Sequence, residues 1–250
     1  MTLIATQLSH YGIVLATDSN LTDSAYRFAR QSRKNFELPH LRGGLSVAGC
    51  WSVNGIAMDE WMPRFIARPE TFAGGSLAAF AGHLRMALES EMLPAEKRLG
   101  SMIHIAGYAR EGDSFHPEFY FVRNFEKIED DGSYSGMSDT FASDEQFWNR
   151  DCQHRESPTG FSAHGGEARV YVNGFPEGRI GYLAVQQCLI PFFGSMWGNP
   201  DWRFHPPRSL QESMCYVRLF MAIINGLFEV SDYPAPFIGG EIQVIGIPPP

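Results

Sequence analysis

Short runs of β-branched and small apolar residues open the chain, with polar turns between them. Leu3 to Gln7 and Gly12 to Thr17 flank Ser9-His10-Tyr11-Gly12 and predict a β-hairpin. Residues 33–38 and 44–49 flank Pro39-His40-Leu41-Arg42-Gly43 and predict a second one. The hydrophobic period then changes. A helix is expected over 53–66 despite Pro63. A stronger one is expected over 76–93, where Leu77, Phe80, Ala81, Leu84, Leu88 and Met92 recur at helical spacing behind Ser76 as N-cap. Strand patterns return at 102–109 and 118–124, whereas 125–168 is polar, weakly patterned and reads as an insertion. Two more helices follow, one over 178–193 with its regular part ended by Pro191, the other from Ser209 to Glu229. Ser209 and Glu212 supply a capping box for the latter. A last strand is expected at 239–247.

Strands, two helices, strands, two helices and one strand predict an α+β fold. Two stacked antiparallel sheets with helices on both outer faces would bury every apolar face, in a single domain over 1–250 with the insertion near 125–168. Composition narrows the chemistry. At 44% hydrophobic and 19% charged the chain is globular, and its net charge of −8 argues against nucleic acid or an anionic membrane as partner. Four scattered cysteines form no C-x-x-C pair, and no histidine falls in a zinc spacing, so no metal site is expected. The first residues lack the apolar core of a signal peptide. The longest apolar window, Tyr216 to Val230, is broken by Arg218 and Asn225, so a cytoplasmic location is expected.

Hairpin geometry gives a sharper statement. Facing residues of an antiparallel pair have position numbers of constant sum, about 20 or 21 for the first hairpin and about 82 or 83 for the second. Thr2 is therefore expected near Asp18, and Lys34 opposite Ala48 or Gly49. Each hairpin carries its polar residues at its open end. A threonine hydroxyl needs a base, and an N-terminal threonine can use its own α-amine, whose ordinary pKa is about 8. That amine exists only if Met1 is removed, which a small second residue permits. Lys34 beside it would lower the pKa of hydroxyl and amine, Asp18 would hold Lys34, and a Gly49 N–H could donate to a developing oxyanion. Separately, each residue also has an ordinary structural role: a strand end for Asp18, a solvated edge for Lys34.

The segment from Thr2 to Thr22 resembles the mature N-terminus of proteasome β-type subunits: an initial threonine, an apolar strand, a glycine turn, then Ala16-Thr17-Asp18-Ser19-Asn20-Leu21-Thr22. Lys34 follows Asp18 by the 16 residues that separate Asp18 from Thr2, as the family's lysine does. Val47-Ala48-Gly49 is similar to the family's next strand, which ends in Ala-Gly. Weaker likeness covers the rest of the chain, most like the minor bacterial proteasome-like peptidases.

The resemblance implies a four-layer αββα sandwich of the N-terminal-nucleophile (Ntn) hydrolase type and a threonine peptidase cleaving peptide or related amide bonds without a cofactor. It implies Thr2, Asp18 and Lys34 as catalytic residues, Gly49 at the oxyanion, Thr22 binding substrate, and Ser19 and Asp232 in support. It also implies peptide or unfolded protein as substrate and self-assembly into a ring or stack; an unfoldase partner is not specified. Two alternatives stay open, a noncatalytic subunit that retains Met1 and an amidase for small molecules. The chain departs from the family where Ile238 replaces a serine before Gly239-Gly240. The family's Gly-Ser-Gly element has two competing counterparts, Ser143 and Gly178.

Other motifs carry less. Ser46 in Gly44-Leu45-Ser46-Val47-Ala48 is expected mid-strand, and His104 on an apolar strand as a satisfied interior or edge histidine. Asp139, Asp144 and Glu145 read as a solvated loop, and the aromatic run at 192–204 as part core, part interface.

Overall fold

The computed structural model describes residues 2–9, 11–22, 27–128, 134–145, 169–174, 190–201, 203–230, 232 and 238–250. Its strands are β1 (Ile4–Ser9), β2 (Gly12–Thr17), β3 (Asn20–Thr22), β4 (Phe28–Gln31), β5 (Asn35–Leu38), β6 (Gly43–Gly49), β7 (Ser52–Val53) and β8 (Ile56–Ala57), followed by β9 (Ser101–Glu111), β10 (Ser114–Ile128), β11 (Tyr134–Glu145), β12 (Arg169–Asn173) and β13 (Gln243–Ile247). The helices are α1 (Met58–Ile66), α2 (Leu77–Glu91), the single turn α3 (Pro94–Lys97), α4 (Ile190–Gly198) and α5 (Leu210–Glu229). One sheet has the order β12-β1-β2-β13 and the other β11-β10-β9-β6-β5, with β3-β4 and β7-β8 as two-stranded ribbons. Every ladder among the described residues is antiparallel.

Alternation along β1 explains the layering. Ile4 and Leu8 point into a cluster with Leu15, Ala48, Phe119, Phe121 and Tyr171, which draws on both sheets. Leu3 and Ala5 point the other way, onto Phe193, Phe220 and Ile224 of α4 and α5. On the far face of the five-stranded sheet, Phe36, Leu45 and Ile103 meet Trp61, Phe80 and Leu84 of α1 and α2. The order of clusters is compatible with two sheets sandwiched between helices. Strands covered on both faces read as continuous apolar runs, as β1 and β2 do. Among the described residues no helix is long and apolar enough to cross a membrane.

Several expected elements hold. The Ser76 hydroxyl accepts from the Ala79 N–H and caps α2. Ser209 caps α5 by accepting from the Glu212 N–H, while the Glu212 carboxylate accepts from the Arg208 N–H at 2.7 Å, one residue ahead of a regular capping box. Ser46 lies mid-strand, donating to Asn35 Oδ1 at 2.7 Å.

Others are corrected. The helix expected from residue 53 starts at Met58, because Asn54 and Gly55 (φ 52° and 76°) turn the β7–β8 hairpin first. The Glu96 carboxylate fixes that turn, accepting from Ser52 Oγ, Asn54 N and Gly55 N at 2.6, 2.8 and 2.9 Å. Residues 134–145 of the expected insertion form the edge strand β11, with Phe141 buried and the polar residues Asp139 and Thr140 exposed. One core-facing residue among polar ones leaves little periodicity to read. Ser143 pairs with Val122 on this strand. Residues 146–168 and Gly178 lie outside the described residues, as does 178–189 of the expected helix. Pro191, expected to end that helix, lies within α4, which runs on to Gly198.

Candidate active site

The first hairpin sets one wall of the site. Ile4 pairs with Thr17 and Ser9 with Gly12, a position sum of 21 as the turn predicts. The ladder continues past the strand ends, because Asp18 N donates to Leu3 O at 3.2 Å and Leu3 N donates to Asp18 Oδ1 at 2.8 Å. Thr2 and Asp18 are thus held side by side.

The second hairpin supplies Lys34, but in a shifted register. Asn35 pairs with Ser46 and Leu38 with Gly43, a sum of 81, and Val47 N donates to Lys34 O at 3.0 Å. Lys34 therefore faces Val47 rather than Ala48 or Gly49. The reason is the connection: Pro39–Leu41 wind into a 3-10 turn closed by Arg42 at φ 44°, and β6 starts immediately at Gly43. Gly49 stands at the exposed end of β6 with φ 93°.

Lys34 reaches across from one sheet to the other. Its Nζ lies 2.8 Å from Thr2 Oγ1, 3.2 Å from each Asp18 oxygen and 2.6 Å from the Asn20 carbonyl. The Trp51 ring centroid lies 6.0 Å from the same nitrogen. Lys34 and Asp18 are 0% exposed and Thr2 3%. An ammonium has three donors, and these oxygens use all of them. Asp18 accepts further from Asn20 N at 3.2 Å and Gly239 N at 3.4 Å.

Burial acts on both partners. It pushes the Lys34 ammonium below its usual range, opposed by the adjacent Asp18 charge. It pushes the Asp18 carboxyl up, opposed by the Lys34 charge and the Leu3 N–H. The donors around Asp18 and the Asn20 carbonyl act against burial and favour the charged pair, with the proton on Nζ. The product is a buried cation on a threonine hydroxyl, an arrangement that favours the alkoxide and disfavours added positive charge nearby.

The remaining predicted residues are placed less centrally. Ser19 is buried beside the site, donating its N–H to Gly239 O at 3.2 Å, with its hydroxyl unpartnered among the described residues. Thr22 pairs with Phe28 on the β3–β4 ribbon. Asp232 is exposed and makes no hydrogen bond or ion pair among the described residues, so nothing joins it to Thr2.

Sequence reasoning missed several participants. The Asn20 carbonyl and the Gly239 N–H are backbone groups, which no side-chain motif announces. Gly174 packs so closely on Thr2 that a Cβ there would lie 1.8 Å from the Thr2 carbonyl oxygen, and at Gly240 one would lie 2.6 Å from Ser19 Oγ. Gln243, on the last strand, also went unmarked. The Gly239-Gly240 pair was the only one of these with a visible signal. Among the described residues no group of three His, Cys, Asp or Glu side chains comes together as a metal site.

A scan of protein-family models finds no match for the chain, and a search of curated proteins finds none similar to it.

Proposed function

We propose that the chain is an N-terminal-threonine hydrolase of the proteasome β type, with an Ntn-hydrolase αββα fold, that cleaves peptide or related amide bonds. The observation that carries the reading is the 2.8 Å contact between Thr2 Oγ1 and a buried Lys34 Nζ that Asp18 also holds. Cleavage of the Met1–Thr2 bond frees the α-amine that the mechanism needs. The amine takes the hydroxyl proton as Thr2 Oγ1 bonds to the substrate carbonyl carbon, and Lys34 stabilises the developing alkoxide. The carbonyl π electrons move to oxygen, toward the Gly49 N–H. Collapse of the intermediate breaks the C–N bond, and the proton passes to the leaving amine. Water then hydrolyses the threonyl ester, and no cofactor enters these steps. Thr22 on its ribbon would align substrate, and copies of the chain would assemble into a ring or stack around the site.

Intact mass of the purified protein is the first test. Loss of Met1, a β-lactone adduct on Thr2 that Thr2→Ala abolishes, and cleavage of fluorogenic peptide amides are the expected results. Quantitative retention of Met1 would overturn the mechanism in favour of a noncatalytic subunit. An adduct on Thr2 with every peptide uncut would replace the peptidase by an amidase for small molecules.

A further inference from the structure

Lys34 lies just outside its strand, since β5 begins at Asn35. Its position therefore depends on bonds beyond the regular ladder as well. Ser32 N donates to Ser19 O at 2.9 Å, and Lys34 O accepts from Val47 N at 3.0 Å. The two inner backbone groups go to one side chain. Lys34 N donates to Gln243 Oε1 at 2.8 Å, and Gln243 Nε2 donates to Ser32 O at 2.8 Å. A C=O two residues ahead of an N–H is the pair that a residue of a neighbouring parallel strand engages. The Gln243 amide takes the place of such a residue where no strand is present.

Gln243 is itself anchored on the opposite wall. It pairs with Thr17, the residue before Asp18, and its carbonyl accepts from Asn35 Nδ2 at 3.0 Å. Asn35 also donates to Leu15 O at 3.2 Å. One residue of the four-stranded sheet thus sits next to the Asp18 strand and grips the backbone that carries Lys34 from the five-stranded sheet. We infer that Gln243 is the positioning residue of Lys34, fixing the distance at which Nζ meets Thr2 and Asp18.

The catalytic consequence rests on the threonine-hydrolase reading; the structural claim does not. A displacement of about 1 Å in a catalytic group can cost about 100-fold in rate. Gln243→Leu keeps the bulk and removes both amide bonds. Gln243→Glu keeps the acceptor facing the Lys34 N–H and loses the donor to Ser32 O.

The test compares the full-length wild type with both variants in two measurements, after thermal unfolding has shown which variants fold. The first is the saturating rate and half-saturating concentration of β-lactone acylation at Thr2. The second is solvent exchange of the Lys34 ammonium protons by NMR with lysine-selective nitrogen labelling. Expected for Gln243→Leu are a saturating rate lower by about 10- to 100-fold, a half-saturating concentration within about 3-fold, and ammonium exchange at least about 10-fold faster. Gln243→Glu falls between it and the wild type. If Gln243→Leu does not fold, Gln243→Glu carries the comparison alone, with changes in the same directions. A folded variant with wild-type labelling and wild-type exchange overturns the inference and leaves the hydrolase reading standing. A wild type with free Thr2 that is never labelled removes the hydrolase reading, and the exchange measurement alone then decides for or against Gln243.

Discussion

Among the polar bridges that join the two sheets, those of His104 and Lys34 resolve the cost of burial in opposite ways. In the middle, His104 of β9 meets Thr6 of β1 at 2.9 Å and Asn173 of β12 at 2.7 Å, with Phe119 and Phe121 around its ring. At the end, Lys34 meets Thr2 and Asp18. Both His104 and Lys34 are 0% exposed. His104 has only neutral partners. With Nε2 donating to Asn173 Oδ1 and the Thr6 hydroxyl donating to Nδ1, the neutral ring is satisfied, and burial drives its pKa down to about 3. Lys34 has a carboxylate with further donors of its own and a backbone carbonyl. Burial therefore yields a neutral structural joint where partners are neutral, and a retained charge where a counter-charge is itself supported. The second kind of site is the one where chemistry becomes available.

The comparison can be broken at its charged end with the largest effect. Lys34→Ala leaves the Asp18 carboxylate buried without its counterion and should cost roughly 3–5 kcal/mol in denaturant unfolding. It should also remove β-lactone labelling of Thr2 by about 1000-fold or more; an unchanged midpoint would show that the pair carries little of the fold.

Acid probes the neutral end. The folded pKa of His104, about 3, lies below its ordinary 6.5, so only the unfolded chain takes up this proton between those values. Its contribution is complete above pH 6.5 and is lost as pH falls through that window, by about 2 kcal/mol at pH 5. Unfolding curves of the wild type and His104→Leu across this range should converge as pH drops. Parallel curves would mean that His104 takes up its proton alike in the folded and the unfolded chain.

Thr6→Val sharpens the same point, since it takes the donor from Nδ1 while keeping the shape. A loss of about 1–2 kcal/mol is expected in the unfolding midpoint. The smallest effect belongs to an exposed ion pair, Arg64 and Glu60 at 3.5 Å with side chains 65% and 64% exposed. Glu60→Gln should change stability by less than about 0.5 kcal/mol, and added salt should erase even that. A larger loss would undo the contrast between buried and surface charge.

Much of this is legible in the sequence itself. The tight turn between β1 and β2 carries its register on its face, so Thr2 and Asp18 could be brought together by counting. Ser76 and Ser209 announced their helices because a capping hydroxyl is a local event. Lys34 was legible as a residue but not as a register, because the 3-10 turn before Gly43 displaces the pairing that a plain loop would give. The Asn54-Gly55 turn is present in the letters, yet the helical spacing around it masks it. β11 was hidden by its place at a sheet edge, where one face needs no apolar residues. Gln243 and the Asn20 carbonyl act through amide groups brought from distant strands, and no local pattern records that convergence.

The burial of Lys34 also has an analytical consequence. The chain has only three lysines, Lys34, Lys97 and Lys127, against a total of 20 basic residues. An amine that water does not reach, and that Asp18 holds in a hydrogen-bonded charge against the cost of burial, is sheltered from acylating reagents in solution. Counting acylated lysines per molecule by mass spectrometry therefore reads out whether the two sheets are still closed over the site, with arginine-rich surface chemistry leaving that count undisturbed.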